Sequence, residues 1–191
     1  MSRVRHFLLA ALLLPLFCPQ LRGQEFLLGL YSSPKGVGVS CMFESRSGKE
    51  LDLITARTDF YGLLTGRTRD VGVCLSYTHD YVFYQRERRD YRLQLHAGAG
   101  GMLGYAHDFE KGFFSTYDRQ LVRNPGGVAA LVGNIGLRAD LWEGITLDVS
   151  LSAAPGLHLR TDTETGALLL SFYSNGVVHF FYPQINLMYR F

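Results

Sequence analysis

The sequence contains little cysteine and tryptophan, with three and one among 191 residues, and it lacks the apolar run that a helical membrane span needs. Such a span takes about 20 apolar residues, and the longest apolar run, from Phe7 to Cys18, is shorter. No Cys-x-x-Cys or His-x-x-x-His spacing indicates a metal site. No glycine-rich loop opens a helix after a strand, so nucleotide binding has no support. These absences exclude helical membrane proteins, zinc modules and nucleotide-binding domains.

The N-terminus has the layout of a cleavable signal peptide. Arg3 and Arg5 precede the apolar run, and the small residue Gly23 follows it. We therefore predict a signal peptide over residues 1–23 and an exported mature domain over residues 24–191. Cys18 is a weak lipidation candidate, because the bulky Phe17 precedes it where lipid-attachment sites usually carry a small residue.

Removal of this leader changes the charge balance. Lysine and arginine fall from 19 to 16 against 17 aspartate and glutamate, so the net charge changes from +2 to −1. A nucleic-acid partner is not expected, since such binding needs a basic patch or stripe. Cys41 and Cys74 remain, on predicted strands with a third strand between them, so we expect both to stay unbridged although an exported protein could form a disulfide.

Alternation of apolar and polar residues dominates the mature chain. It is cleanest in 145–153 and recurs in 91–100, 131–140 and 184–191, where one side of each segment is apolar and the other mostly polar. A β-strand places successive side chains on opposite faces, so these segments predict strands with one apolar face. The same alternation is less regular in segments 25–32, 37–44 and 71–78.

The segment 50–60 fits this pattern only in part. It begins with regular alternation but then places Arg57 and Asp59 on the apolar side. A bulge near Thr55 would restore the pattern, and so would an exit of the strand from the bilayer at that point.

Together these segments make eight strands in a chain with a predicted export signal. Only helices and closed barrels satisfy their backbone groups in lipid, and outer-membrane barrels have an even strand number with short turns at one end. The sequence therefore predicts an all-β fold, an eight-stranded antiparallel transmembrane up-and-down β-barrel in the outer membrane of a Gram-negative bacterium. The predicted connections lie near 33–36, 46–49, 61–70, 85–90, 108–127, 141–144 and 161–180.

Aromatic residues are placed where such a barrel meets the lipid headgroups. Tyr81 and Phe83 fall near one predicted rim and Tyr105 and Phe109 near the other, and amphipathic rings favour this boundary. The opposite assignment is a soluble barrel of lipocalin type with its apolar face inward. The alternation alone does not decide which face of the strands is outside.

Several segments resemble the small outer-membrane β-barrel proteins of the Bacteroidetes type. The resemblance rests on His96 to Tyr105, Gly133 to Asp140, Ile145 to Gly156 and the closing Met188 to Phe191. It implies a barrel that contacts outer-membrane lipid and lipopolysaccharide. Tyr189 and Phe191 resemble the C-terminal signal read by the outer-membrane assembly machinery, which is implied as a transient partner.

The alternation sends a set of charged residues to the barrel interior. An eight-stranded barrel is just wide enough for side chains to fill it, and buried charges are costly unless paired. We therefore predict a lumen charge network that closes the barrel, while a gated polar passage or a proton path is the functional alternative. Its predicted members are Glu44, Asp52, Arg92, His96, Arg138, Asp140, Asp148 and Arg190.

The function expected from this pattern is structural or surface-recognising, with no catalysis, cofactor or metal. One alternative is a narrow channel or a carrier for small apolar ligands. Another is a lipid A-modifying enzyme that pairs His158 with Ser152 or Ser171.

Long outer connections on a rigid scaffold are where binding usually occurs. Arg119, Arg123 and Lys111 are candidates for contact with lipid phosphates, since guanidinium matches phosphate bidentately. The charged turn 85–90 fits an ordinary solvated turn better than a docking patch. The extracellular recognition candidates are Phe113, Phe114, Tyr117, Arg119, Arg123, Phe172 and Tyr173.

Overall fold

A computed structural model describes residues 25–34, 36–58, 72–89, 91–108, 123–141, 144–161, 166–173 and 181–191, without the side chains of 106–108 and 123–125. The described chain is almost entirely β-structure. No helix in the described residues is long and apolar enough to span a bilayer. The predicted signal peptide lies outside these residues. The ten strands are β1 (Glu25–Ser33), β2 (Gly36–Glu44), β3 (Glu50–Thr58), β4 (Val73–Arg88), β5 (Tyr91–Asp108), β6 (Arg123–Asp140), β7 (Ile145–Ala153), β8 (Gly156–Thr161), β9 (Leu168–Tyr173) and β10 (Phe181–Arg190).

The strands close into an antiparallel barrel with eight wall positions. Seven neighbouring pairs run in the order β5-β4-β3-β2-β1-β10-β7-β6, and pairing of β5 with β6 closes the ring. β8 extends β7 along the same neighbour, since β6 pairs with β7 over residues 133–140 and with β8 over 126–130. β9 then pairs with β8 as β10 pairs with β7. The predicted fold of eight antiparallel wall strands is confirmed.

The two ends of the barrel carry connections of different length. At the lower end lie the described chain termini and the strand ends separated in sequence by 45–49, 89–90 and 141–144. At the upper end lie the strand ends separated in sequence by 34–35, 59–72, 109–122 and 162–167. Two predicted connections were too long: β4 continues to Arg88 within the predicted turn 85–90, and β9 lies inside the predicted connection 161–180. The polar end of β4 explains the first error, because such residues are typical of a turn. The second strand, β9, is apolar on both faces over Leu168–Leu170 and so lacks the alternation that marked the other strands.

The barrel wall is apolar outside and largely polar inside. Leu131 at the middle of β6 is 74% exposed, whereas Asn134 and Arg138 on the alternate face are buried. This is the strand alternation expected when one face contacts an apolar surrounding and the other faces a filled centre. Exposed apolar side chains recur around the wall at Leu30, Leu75, Leu103, Leu151, Leu157 and Leu187.

The third strand faces opposite to the prediction. Leu51, Leu53, Thr55 and Arg57 point into the lumen, and Asp52 points outward. Neither a bulge at Thr55 nor an exit from the wall is needed, because β3 pairs without interruption with both neighbours. The prediction that Asp52 belongs to the lumen network is therefore wrong. Its error came from assigning every apolar residue of this strand to the outside.

No disulfide joins the two cysteines of the described chain, Cys41 and Cys74, in agreement with the prediction. Cys41 on β2 lies on the outward face and Cys74 on β4 on the inward face, with β3 between them. A disulfide needs Cβ atoms about 3.5–4.5 Å apart and pointing toward each other, which this arrangement forbids.

Candidate functional site

A cluster of arginines and carboxylates fills the lower part of the lumen. Glu44 on β2 accepts from Arg92 at 2.8 Å, from Arg138 at 2.8 Å and more distantly from Arg190 at 3.4 Å. Asp140 on β6 accepts from the same three arginines, at 2.9 Å from Arg138 and 2.8 Å from Arg190. We call these five residues, drawn from four strands, the lower ion cluster.

Two further groups complete the pairing of the lower ion cluster. Thr146 donates its hydroxyl to Asp140 at 2.8 Å, and Arg190 pairs with Glu25 at 2.6 Å near the lower rim. Arg138 and Glu44 are almost fully buried. Charges removed from water in this way are tolerated because each carboxylate accepts several charge-assisted hydrogen bonds.

A histidine between two carboxylates occupies the next level of the lumen. His96 Nδ1 lies 2.9 Å from Asp80 Oδ2, and its Nε2 lies 2.7 Å from Asp148 Oδ2. All three side chains are fully buried and come from β4, β5 and β7. An imidazolium carries a donor on each nitrogen, so this geometry suits the charged ring. We call Asp80, His96 and Asp148 the histidine bridge.

Amide and hydroxyl groups surround the histidine bridge. Asn134 donates to Asp80 at 2.9 Å, Asn186 donates to Asp148 at 3.2 Å, and Ser150 donates to Asp148 at 3.3 Å. Gln184 donates to the Ser150 hydroxyl at 2.9 Å. These hydrogen bonds join side chains of β4, β6, β7 and β10 at the centre of the lumen. The histidine bridge is therefore part of a connected network rather than an isolated ion pair.

The wall also lies close to the histidine bridge at Gly136. A Cβ added to Gly136 would lie 2.6 Å from His96 Nε2 and 2.7 Å from Ser150 Cβ. The missing side chain of this inward glycine thus gives His96 its room.

Apolar side chains form two clusters in the rest of the lumen. One cluster lies on β1, β2, β3 and β10 and contains Leu27, Met42, Leu51, Leu53 and Met188. The other lies toward the upper end and contains Met102, Val128, Ala130, Val132, Ala154, Tyr173 and Tyr182. Charged and apolar groups therefore both line the lumen, at different levels.

The connection 45–49 folds toward the lower mouth of the barrel. Gln94 from the lumen donates to the carbonyl of Gly48 at 3.2 Å and to Gln85 at 3.2 Å. An open depression of about 440 Å³ remains there, lined mainly by Glu25, Glu44, Arg46, Gln85 and Arg92. The depression ends on the lower ion cluster, which thus meets solvent from below.

Asp52 forms a polar group on the outer wall instead. Its Oδ1 accepts from the Tyr77 hydroxyl at 2.7 Å and lies 2.8 Å from His79 Nδ1. The ring of Tyr81 stands edge-on to His79 with centroids 4.9 Å apart. Asp52 lies two residues from the lower start of β3, where polar groups next to aromatic rings suit a lipid headgroup boundary.

The remaining candidate residues are dispersed. Phe172 is 58% exposed on the outward face of β9, while Tyr173 is buried in the upper apolar cluster and does not belong to an exposed recognition surface. Tyr189 and Phe191 lie together at the lower rim with ring centroids 5.3 Å apart. The predicted recognition side chains Phe113, Phe114, Tyr117, Arg119 and Arg123, and rim residue Phe109, lie outside the described residues.

In the described part of the chain, neither Ser152 nor Ser171 pairs its hydroxyl with the imidazole of His158. Ser171 donates its hydroxyl to the backbone carbonyl of His158 at 3.4 Å, not to the imidazole. His158 instead packs edge-on toward Tyr173 with centroids 6.2 Å apart. Among the described residues, no group of three or more His, Cys, Asp or Glu side chains is arranged to hold a metal ion.

Two charged residues of the lumen, Asp80 and Arg57, were not anticipated from the sequence. Asp80 is preceded by Cys74, Ser76 and Thr78 on the inward side of β4, so continuing that alternation would have found it. Arg57 was missed because the face assignment of β3 was reversed.

The chain is similar to a solved structure. A crystal structure of a major outer membrane protein from Thermus thermophilus matches with a TM-score of 0.47 and 12% sequence identity, over 88% of this chain and 100% of that chain. No protein-family model matches the sequence. No curated protein matches it either.

Proposed function

We propose that the protein is an integral outer-membrane β-barrel whose lumen is closed, so that it acts as a structural or surface-recognition element and not as an open pore or an enzyme. The observation that supports this most is the division of the wall: leucines cover the outside, while paired charges and amides fill the inside. A soluble barrel of lipocalin type would show the reverse, with an apolar cavity inside and polar side chains outside. The resemblance to Bacteroidetes-type barrels remains a prediction.

The closed lumen follows from two successive blocks. The lower ion cluster and the histidine bridge each join several strands across the centre. Water and ions would have to break buried, charge-assisted hydrogen bonds at both levels to pass. Export by the signal peptide and recognition of Tyr189 and Phe191 by the assembly machinery belong to the same proposal, as does contact with outer-membrane lipid and lipopolysaccharide.

Membrane residence and closure are measured separately. Carbonate washing should leave the protein in the membrane pellet, and the folded barrel should migrate differently on a gel before and after heating. In planar bilayers the purified protein should give no steady conductance. Release by carbonate would contradict the membrane proposal, and steady conductance would contradict closure alone.

An arginine substituted at the middle of the outer wall tests whether this face contacts lipid or water. Leu131→Arg should lower the free energy of unfolding in lipid vesicles by about 2 to 4 kcal/mol, the penalty of such a charge at the bilayer midplane. Phe83→Arg, beyond the lower end of β3, is the matched control and should cost about 0 to 1 kcal/mol because it lies near the interface. Denaturant titration of both variants gives the difference. Equal stability of Leu131→Arg and the wild type would mean that this face contacts water.

A further inference from the structure

Arg57 is a buried cation without a carboxylate partner. Only 7% of the residue is exposed, and its guanidinium donates to the Tyr31 hydroxyl at 3.2 Å and contacts Met102 Sδ at 3.1 Å. The Tyr182 ring lies under it, 5.0 Å from the guanidinium carbon to the ring centroid. Within the described part of the chain, no carboxylate lies within ion-pair distance of Arg57. Each of the other three lumen arginines named above has at least two such partners.

The negative groups of the lumen lie far from this charge. Arg57 is directly opposite Cys74 in the β3–β4 pairing, and Asp80 lies six residues further along β4. At about 3.3 Å per residue this separation is roughly 20 Å along the strand. The acceptors that Arg57 does contact, a phenol and a thioether, are neutral, and a thioether is a weak acceptor. Among the described residues, the site therefore lacks the negative charge that a buried guanidinium requires.

Arg57 is surrounded by apolar side chains on one side and by small residues on the other. Met102 and Tyr182 belong to the upper apolar cluster. The inward neighbours on the adjoining strands are Gly38 on β2 and Cys74 on β4. Cys74 and Ser76 face inward yet keep partial exposure, whereas Asp80 further down the same strand has none. Over the residues that the structure describes, the upper lumen is thus partly exposed, and it ends below on the histidine bridge.

We propose that the upper lumen binds a small organic carboxylate with an apolar body. The carboxylate replaces the Met102 sulfur as the partner of the Arg57 guanidinium and accepts two parallel hydrogen bonds from it, since guanidinium and carboxylate match bidentately. Tyr31 keeps the guanidinium in place, and the apolar body contacts Met102 and Tyr182. Because the histidine bridge and the lower ion cluster lie beneath it, the site is blind and binds without conducting.

The test uses the full mature protein in detergent micelles with benzoate as the probe, benzamide as its neutral isostere and inorganic phosphate as a non-organic anion. Saturable binding of benzoate is expected by ligand-observed NMR, together with an increase in thermal stability on addition of benzoate. Arg57→Gln should weaken benzoate binding by about tenfold or more, since a charge-assisted pair is lost. Arg57→Lys keeps the charge without the bidentate geometry and should retain weaker binding.

Arg46→Gln, an exposed arginine in the connection 45–49, is the matched control and should bind benzoate like the wild type. If Arg57→Gln does not fold, the comparison of Arg57→Lys with the wild type decides the question. The proposal is overturned if benzamide or phosphate binds as well as benzoate, if binding is absent, or if neither Arg57 variant changes it. It is also overturned if Asp59→Asn or Asp70→Asn destabilises the wild type but not Arg57→Gln, because a carboxylate of the chain would then be the partner of Arg57.

Discussion

Replacing Glu44 by glutamine should lower the free energy of unfolding of the barrel by about 3 to 5 kcal/mol, the range for breaking a buried ion pair. The substitution keeps size and shape but removes the charge that Arg92, Arg138 and Arg190 share. Arg92 and Arg138 would then keep Asp140 as their remaining carboxylate partner, while Arg190 also keeps Glu25. The buried Arg138 has no route to water. Denaturant titration of protein refolded into vesicles, with heat-dependent gel migration as the folding assay, measures the loss.

Glu50→Gln provides the matched control, because it makes the same chemical change at an exposed position at the start of β3. It should alter stability by no more than about 0.5 kcal/mol. A double-mutant cycle adds a sharper criterion: Arg138→Gln should cost less in the Glu44→Gln background than in the wild type, since the two side chains interact directly. Additive effects would show that Glu44 and Arg138 do not stabilise each other.

Much of the wall was predictable because strand alternation is a local property. In β6, β7 and β10 the inward and outward residues alternate as predicted over 131–140, 145–153 and 184–190, although the inward residues Val132 and Met188 are apolar. Each of these strands has one face for the lumen and one for the surroundings, so a period of two identifies both. Closure of the barrel was predicted from the strand number together with the expected export of the chain.

β3 shows where this reasoning fails. Leu51 and Leu53 pack inside with Met42 and Met188, so an apolar residue here does not mark the outer face. Sequence analysis assigns the two faces of a strand by their polarity. Where the lumen contains its own apolar cluster, both faces are apolar and polarity no longer distinguishes them. Only pairing with β2 and β4, which is not local in sequence, determines the face of this strand.

The pairing of charged side chains within the lumen could not be predicted from the sequence either. Parity places Arg138 and Asp148 inside but does not say which level of the barrel each occupies. That level depends on the stagger between neighbouring strands, which sets Arg138 opposite Asp148 in register while their side chains join different clusters. Stagger is linked to strand number and tilt across the whole barrel, so it is a property of the closed sheet.

Replacing His96 by leucine should destabilise the barrel by at least about 3 to 5 kcal/mol, because two buried carboxylates would lose the cationic group between them. Asp80 and Asp148 are both fully buried, and each lies within 2.9 Å of a His96 nitrogen. Asn134 and Asn186 would still donate to them, yet these neutral donors do not offset two negative charges in one site. Loss of the folded, heat-sensitive gel species at a lower denaturant concentration is the measurement.

Neutralising the carboxylates should reverse much of this loss. In the His96→Leu background, Asp80→Asn and Asp148→Asn together leave an uncharged site, and replacing a buried ionic group by neutral side chains of similar volume is often tolerated. The triple variant should therefore be more stable than His96→Leu alone, although two buried amides still need partners such as Ser150 and Asn134. If the single and triple variants were equally unstable, the histidine would act through packing against Gly136 and Ser150 and not through its charge. Rescue by the triple variant would instead assign the stabilisation to the ionic contacts that cross the lumen from β5 to β4 and β7.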